Sequence, residues 1–270
     1  MSHPLISSTC ARPSGRVREL ARRAVRGPRR CGRDPLPAAL VGLTAVTGML
    51  DAISYLGLGR VFIAMMTGNV IFLGLALGKT VGPSGPGPAL AIISFALGIV
   101  LAARTAKLAT RRARQHWFFH AMAVEVALVA AATAVAALAP PTAATTRYVV
   151  IALLALAMGA RCSTVRRLDV PDFPITVGLT GALIALVHES PLAGGGRARA
   201  ERRLGVVLAM GVGATAGGFL MTSVGLSWSL LAVVGVLAAI TLAVRVHPGG
   251  PATTGPNRPA PVSPGSVQRA

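Results

Sequence analysis

The stretch VFIAMMTGNVIFLGLALG, residues 61–78, places a Thr-Gly-Asn tripeptide inside an otherwise apolar run. Similar apolar runs recur along the chain, which is 53% hydrophobic and 13% charged, whereas soluble domains carry about 25% charged residues. Glycine weakens a helix and the asparagine amide requires hydrogen-bond partners, so the tripeptide interrupts a segment that hydrocarbon surrounds. The composition predicts a protein that crosses a membrane several times.

Eight apolar segments, labelled A to H, stand out when the chain is read in windows of about 20 residues. They are A (36–56), B (61–77), C (88–106), D (118–138), E (149–160), F (175–187), G (204–224) and H (228–244). We expect each to be helical. The predicted fold class is therefore an all-α, polytopic transmembrane helix bundle.

The distribution of the 27 Lys and Arg residues indicates how many segments cross. If all eight crossed with the N-terminus in the cytoplasm, nine basic residues would face outside, which fits the positive-inside rule poorly. If B and F are short or re-entrant, 24 of the 27 lie on the cytoplasmic side. F also provides only about 20 Å of helix for a hydrocarbon core of about 30 Å. We predict six spans with both termini cytoplasmic.

The two ends of the chain differ from its apolar middle. Residues 1–35 are rich in Arg and lack the apolar core of a secretory signal peptide, and residues 247–270 are rich in Pro and Gly. Both ends are predicted to be disordered tails that flank a transmembrane domain at 36–246. Because no nucleic-acid-binding motif accompanies the net charge of +19, we expect anionic lipid headgroups as partners and no nucleic acid.

Small-residue motifs suggest an internal repeat. Thr67-Gly68 in segment B recurs as Thr180-Gly181 in segment F, 113 residues later, and Gly98 corresponds to Gly213, 115 residues later. With B and F re-entrant, each half crosses three times, which would invert the second half relative to the first. Chance is the alternative explanation, since such motifs are frequent in membrane chains. The predicted halves are 36–140 and 147–246.

Segment A carries a carboxylate, Asp51, well inside an apolar span. An ionisable residue at such a position is costly unless it is paired, protonated or hydrated, and it is therefore a functional hypothesis by default. Thr47, Ser54 and Tyr55 share its helix face and point into the predicted bundle. A position near the outer interface, an ion pair with Arg60 or a helix cap are the alternatives.

The tripeptide of segment B adds a hydroxyl, an accessible backbone and an amide at one depth. We predict a substrate-binding site where segments A, B and F meet. Its residues are Asp51, Ser54, Tyr55, Thr67, Gly68, Asn69, Thr180 and Gly181. Helix packing through small residues and an asparagine hydrogen bond is the alternative explanation.

Two further charges lie near or within apolar segments. Glu125 in segment D is either a proton carrier or a partner for Arg104 or His120, and pairing is the favoured interpretation. Arg161 falls in the predicted loop between E and F, where it either pairs with local charges and fixes the loop or supplies a positive charge to a pathway. Fixing the loop is the favoured interpretation.

The stretches VTGMLDAISYLGLGRVFIAMMTGNVIFLGLAL and STVRRLDVPDFPITVGLTG resemble the YoaK-like family of bacterial integral membrane proteins, a domain of unknown function. The resemblance covers residues 36–246 and implies a multi-span protein of the bacterial inner membrane, with no defined activity. The residues that carry it are Asp51, Ala52, Ser54, Tyr55, Leu56, Gly59, Phe62, Thr67, Gly68 and Asn69, then Val165, Arg166, Arg167, Val170, Pro171, Thr176, Val177, Thr180 and Gly181.

The chain departs from the family pattern at three positions, Met65, Cys162 and Ile184, where polar residues are common in the family. If those positions line a pathway, this pathway is less polar. The sequence contains no hydrolase, metalloprotease, P-loop or Rossmann motif, so we expect neither an enzyme nor a cofactor. The leading hypothesis is a transporter or channel for a small solute. The alternative is a non-transporting scaffold or sensor whose basic tails bind lipid or a partner.

Overall fold

The computed structural model describes residues 35–78, 86–108, 114–140, 143–168, 178–188 and 197–246. The predictions made for the basic N-terminal tail, for the C-terminal tail and for the residues 169–177 that precede segment F's helix concern residues outside these ranges. Within the ranges the chain forms eight helices and no strand. They are α1 (Pro35–Gly57), α2 (Met66–Leu77), α3 (Gly87–Leu108), α4 (Arg114–Leu138), α5 (Ala144–Leu168), α6 (Gly178–His188), α7 (Arg197–Val224) and α8 (Leu226–Val246).

Six of the described helices, α1, α3, α4, α5, α7 and α8, are long and apolar enough to cross a membrane. The other two, α2 and α6, have 12 and 11 residues. At about 1.5 Å per residue each is shorter than about 20 Å, which is too short for a hydrocarbon core of about 30 Å. The predicted all-helical bundle with six spans and two short apolar segments is confirmed.

Two of the helix boundaries that differ from the apolar segments affect the predicted site. Segment B begins at Val61, but α2 begins only at Met66, so the Thr-Gly-Asn tripeptide lies in the first turn of a helix and follows the interruption. Segment E ends at Ala160, whereas α5 continues to Leu168. The interpretation of Arg161 as a loop residue is therefore wrong: it is a buried helical residue. The apolar run ends at Ala160 because the next residue carries a guanidinium, but the helix continues past this residue.

The centre of the bundle is formed by α1 and α5. Of their candidate spans, 61% and 56% is buried inside the protein, against 17% for α7. The buried side chains of α1 and α5 are mostly large and aliphatic, including Leu43, Leu50, Ile151 and Leu154. Outward-facing apolar side chains such as Phe219 on α7 are exposed, as expected for a surface in contact with lipid. The bundle thus surrounds two central helices with four that face the bilayer.

Among the described residues, most of the extensive helix contacts come in pairs that correspond when the two predicted halves are exchanged; the contact between α7 and α8 has no counterpart of similar extent between α3 and α4. α1 packs on α7 as α5 packs on α3, α1 packs on α8 as α5 packs on α4, and α2 packs on α3 as α6 packs on α7. α4 and α8 pack on each other. Two halves related by a two-fold axis would produce this pattern of helix contacts. Because each half has three spans, an odd number, the second half would be inverted in the membrane relative to the first.

Glycines bring α1 and α7 into close contact. A methyl group added to Gly48 would overlap the carbonyl oxygen of Met210, and one added to Gly213 would overlap the carbonyl oxygen of Ala45. Small residues allow such close backbone approach, which substitutes for the hydrophobic effect when helices associate in lipid.

The contact between α3 and α5 has the same design. A methyl group at Gly159 would overlap the carbonyl oxygen of Phe95, and one at Gly98 would overlap that of Leu156. Gly159 lies 111 residues after its counterpart on α1, and Gly98 lies 115 residues before its counterpart on α7. The same two offsets relate the contacted residues, so these contacts support the predicted internal repeat.

Candidate functional site

Asp51 holds the non-helical segment between α1 and α2. Its Oδ1 accepts hydrogen bonds from the backbone N–H groups of Ile63 and Ala64, both at 2.8 Å. The hydroxyl of Ser54 donates to the Asp51 carbonyl oxygen at 3.1 Å, and both side chains are buried. The bonded partners of this carboxylate are thus backbone amides, and the predicted alternative of an ion pair with Arg60 is wrong.

Asn69 holds the same segment from the α2 side. Its Oδ1 accepts a hydrogen bond from the Phe62 N–H at 3.0 Å, and its Nδ2 donates to the Phe62 carbonyl oxygen at 2.6 Å. One side-chain amide therefore satisfies both backbone groups of a residue that no regular element pairs. We call Asp51, Asn69 and the segment 58–65 between their helices the α1–α2 clamp.

Aromatic packing completes the clamp. The Phe62 ring stacks against both Tyr55 and Phe72, with ring centroids 5.2 and 5.7 Å away, and those two rings are 6.4 Å from each other, so that the three rings form a triangle. A methyl group at Gly68 would come within 2.7 Å of the Phe62 ring. Glycine at this position therefore makes room for an aromatic side chain of the chain itself.

The remaining predicted site residues do not meet this cluster in one site. Thr67 is exposed, and Thr180 is exposed on α6 with Gly181 half-buried beside it. α6 packs on α7, and no extensive contact joins it to α1 or α2 within the described residues. The predicted role of these residues in substrate binding stays a prediction, since the structure shows them without a solute.

A second buried polar cluster joins three helices. The guanidinium of Arg161 on α5 forms an ion pair with Glu125 on α4 through its Nη2. Its Nη1 donates to the Leu43 carbonyl oxygen at 2.9 Å and to the Thr47 hydroxyl at 3.0 Å, both on α1. We call Glu125, Arg161, Thr47 and the Leu43 carbonyl the charge centre.

The charge centre is buried within the bundle. The relative exposure of the two charged side chains is 5% for Arg161 and 1% for Glu125. Glu125 lies seven residues inside the α4 span that begins at Phe118, which is about 10 Å along a helix. Both charges are thus within hydrocarbon depth, where removal from water costs several kcal/mol per ion (order of magnitude) unless partners compensate.

Compensation at the charge centre is incomplete. Arg161 Nε and Glu125 Oε2 are buried and have no hydrogen-bond partner among the described residues. Nε and Nη2 of an arginine donate in parallel along one edge of the guanidinium, an edge that matches both oxygens of a carboxylate. Only one of the two bonds along that edge is made here. In the clamp, Asp51 Oδ2 is similarly unpartnered, although Oδ1 accepts two bonds.

The two clusters are connected along α1. Leu43, Thr47 and Asp51 follow one another at intervals of four residues and so lie on one face of the helix. The thiol of Cys162 lies within electrostatic range of Arg161, Asp51 and Glu125. A polar row therefore runs from the charge centre towards the clamp.

The sequence identified both charges of this centre but not their pairing. The prediction that Glu125 pairs with Arg104 or His120 is wrong, since both of those residues are exposed and the partner is Arg161. The prediction that Arg161 fixes a loop is wrong for the same reason. The sequence did contain one signal of this pairing. Glu125 lies inside one apolar segment, Arg161 directly follows another, and their charges are opposite.

A cavity of about 600 Å³ lies elsewhere, between α4, the end of α7 and the start of α8. Its two hydroxyl groups donate to backbone carbonyls, Thr133 to Val129 at 2.8 Å and Ser227 to Ala136 at 2.9 Å. The walls therefore offer little to orient a polar solute. The part of the chain that the structure describes contains no cluster of three His, Cys, Asp or Glu side chains placed to hold a metal ion.

Comparison with protein families identifies the chain. The model of a family described as "Protein of unknown function (DUF1275)" matches residues 39–243. The chain belongs to this family. The matched region extends from α1 to α8 and includes the clamp and the charge centre.

One relative carries a name that describes its location. The chain is 34% identical over 151 residues to the UPF0700 transmembrane protein YoaK of Bacillus subtilis strain 168. The match covers 56% of this chain and 64%, less than two thirds, of that protein. The YoaK-like resemblance is confirmed, and the chain is a multi-span membrane protein. No solved structure matches the chain.

Proposed function

We propose that this protein transports a small solute across the bacterial cell membrane and that the solute's route passes the charge centre. The observation that carries the proposal is the ion pair of Glu125 and Arg161, which is buried in a bundle whose core is mainly apolar. Charged side chains inside membrane spans are rare, and they characteristically mark routes for solutes, ions or protons.

The position of the charge centre supports the same function. Thr47 and Glu125 belong to the first predicted half of the chain, whereas Arg161 belongs to the second. Transporters built from inverted repeats bind solutes between their repeats, often near short or broken helices. The short helix α2 and the irregular segment before it supply such an element.

The clamp has a different role in this proposal. The hydrogen-bonding atoms of Asn69 are both engaged with Phe62, and one Asp51 oxygen already accepts two amides. A solute that used the Asn69 amide or Asp51 Oδ1 would have to replace those bonds, and of the polar side-chain atoms of these two residues only Asp51 Oδ2 has no partner among the described residues. We therefore place the solute at the charge centre and assign the clamp to holding the entry of α2.

The proposal is tested by swelling of liposomes that contain the purified full-length protein. Small anions, small cations and neutral solutes are applied in turn, and swelling is followed by light scattering. At least one solute should enter faster than in protein-free liposomes, and the double substitution Glu125→Leu and Arg161→Met should abolish the difference. The matched control is Glu201→Gln, which removes an exposed charge on α7. Transport that survives the double substitution would contradict the proposal.

A further inference from the structure

We infer that the charge centre binds a small monovalent carboxylate on Arg161 while Glu125 carries a proton, so that the carboxylate and the proton cross together. This inference rests on the proposed transport function and names its substrate class and coupling. It follows from three features: how Arg161 is anchored, which edge of it is exchangeable, and the net charge of the centre.

Arg161 has one fixed side and one exchangeable side. Nη1 is bound by the Leu43 carbonyl and the Thr47 hydroxyl, neither of which can lose a proton or leave near neutral pH. The opposite edge, Nη2 with Nε, is occupied only by Glu125 and only through Nη2. The guanidinium would thus keep its orientation if Glu125 withdrew.

The free edge has the geometry of a carboxylate site. Two parallel N–H donors on one edge bind the two oxygens of a planar carboxylate at once, which a single-atom ion does not reproduce. Glu125 occupies half of this edge, so it serves as an internal competitor for an external carboxylate. A carboxylate that displaced it would gain the Nε bond that Glu125 leaves unmade.

Charge neutrality supplies the coupling. The pair of an ionised Glu125 and Arg161 has a net charge of zero, and burial in an apolar interior is costly for any other net charge. When a monovalent anion binds Arg161, the net charge of the site stays at zero only if Glu125 is protonated. One proton from water on one side forms an O–H bond at Glu125 as one carboxylate binds, and both are released on the other side. Dianions and cations would leave a net charge.

Other titratable groups near Glu125 do not replace it in this scheme. α5 contributes Arg161 and the Cys162 thiol, and α1 contributes Asp51, whose Oδ1 is held by two backbone amides. On the described part of α8 the titratable residue is Arg245, which stacks over the Phe119 ring at 5.2 Å from its centroid. Glu125 is therefore the acid that directly opposes the guanidinium.

The test uses pyruvate, a small monovalent carboxylate, and the full-length protein in liposomes that contain a pH-sensitive dye. The membrane potential is clamped at zero with potassium and valinomycin. For the wild type, an inward proton gradient should accelerate uptake of labelled pyruvate about tenfold, with one proton entering per pyruvate.

Two substitutions separate coupling from binding. Glu125→Gln, which mimics the protonated acid, should keep the exchange of labelled for unlabelled pyruvate but lose its acceleration by the proton gradient. Arg161→Lys keeps the positive charge without the two-donor edge and should raise the half-saturating pyruvate concentration about tenfold or more. Glu201→Gln, the exposed control on α7, should behave as the wild type.

The outcomes distinguish this inference from the proposed function. Uptake of chloride, a cation or a neutral solute without uptake of pyruvate would overturn the inference and leave transport standing. If no solute moves, the proposed transport function is contradicted. Pyruvate binding is then measured by thermal unfolding of the purified protein. Stabilisation that is larger at acidic pH and absent in Arg161→Lys would support the carboxylate site. No stabilisation would overturn it.

Discussion

The α1–α2 clamp and the charge centre are both polar clusters in an apolar bundle, but they differ in how completely their hydrogen bonds are formed. Asn69 uses both amide atoms on one residue, and Asp51 Oδ1 accepts two backbone amides. In the described part of the chain, the clamp leaves one acceptor, Asp51 Oδ2, without a partner, whereas the charge centre leaves both a donor of Arg161 and an acceptor of Glu125 without one, and these two groups belong to the same ion pair. A satisfied buried cluster rigidifies a fold, whereas an unpaired buried donor and acceptor are costly until something binds them. This difference is why we propose a structural role for the clamp and solute binding for the charge centre.

The largest expected effect on stability is at the charge centre. Arg161→Met leaves the Glu125 carboxylate buried without a cation, and removing one partner of a buried pair costs about 3–5 kcal/mol. The free energy of unfolding in detergent, measured with a chemical denaturant, should fall by that amount. Adding Glu125→Leu should recover most of the loss, because no charge then remains unpaired. A double variant as unstable as the single one would contradict the ion pair.

The next effect concerns the carboxylate of the clamp. Asp51→Ala leaves the amides of Ile63 and Ala64 without their acceptor, and we expect a loss of about 2 kcal/mol. Asp51→Asn retains an oxygen acceptor and should lose less. Hydrogen exchange at residues 63 and 64 checks the cause directly. Amides that stay as slow to exchange in Asp51→Ala as in the wild type would show that the clamp is held by other contacts.

The smallest effect compares two glycines of α2. Gly68→Ala pushes a methyl group against the Phe62 ring, which its two stacked neighbours hold in place, and should cost about 1 kcal/mol. Gly74→Ala meets nothing within 4 Å and should stabilise the helix by up to about 1 kcal/mol. Thermal unfolding of both variants measures the difference. Equal effects would mean that Gly68 does not accommodate Phe62.

The helices and their number could be predicted from the sequence because hydropathy and segment length are local properties. Segments C and D differ from α3 and α4 by at most four residues at either end. The distribution of Lys and Arg distinguished the spanning segments from the short ones, because basic loop residues follow the orientation of the chain in the membrane and do not depend on how the helices pack. The orientation of the termini stays a prediction of that same distribution.

The contacts within the candidate sites could not be predicted in this way. Asp51 and Asn69 stand out by residue type, but their partners are backbone N–H and C=O groups, which no side-chain pattern reveals. Glu125 and Arg161 are 36 residues apart on different helices, and their contact depends on how α4 and α5 pack. Arg161 also ends the apolar run, so that hydropathy placed it in a loop.

The central claim is that the charge centre, and not the clamp, carries the solute. It is tested most directly by one flux measurement on two folded variants in liposomes, with the solute that the wild type transports fastest. The double substitution Glu125→Leu and Arg161→Met should remain folded and transport nothing. Asn69→Ala should be less stable but should transport at a rate close to that of the wild type. Flux that is lost in Asn69→Ala and kept in the double variant would contradict the claim.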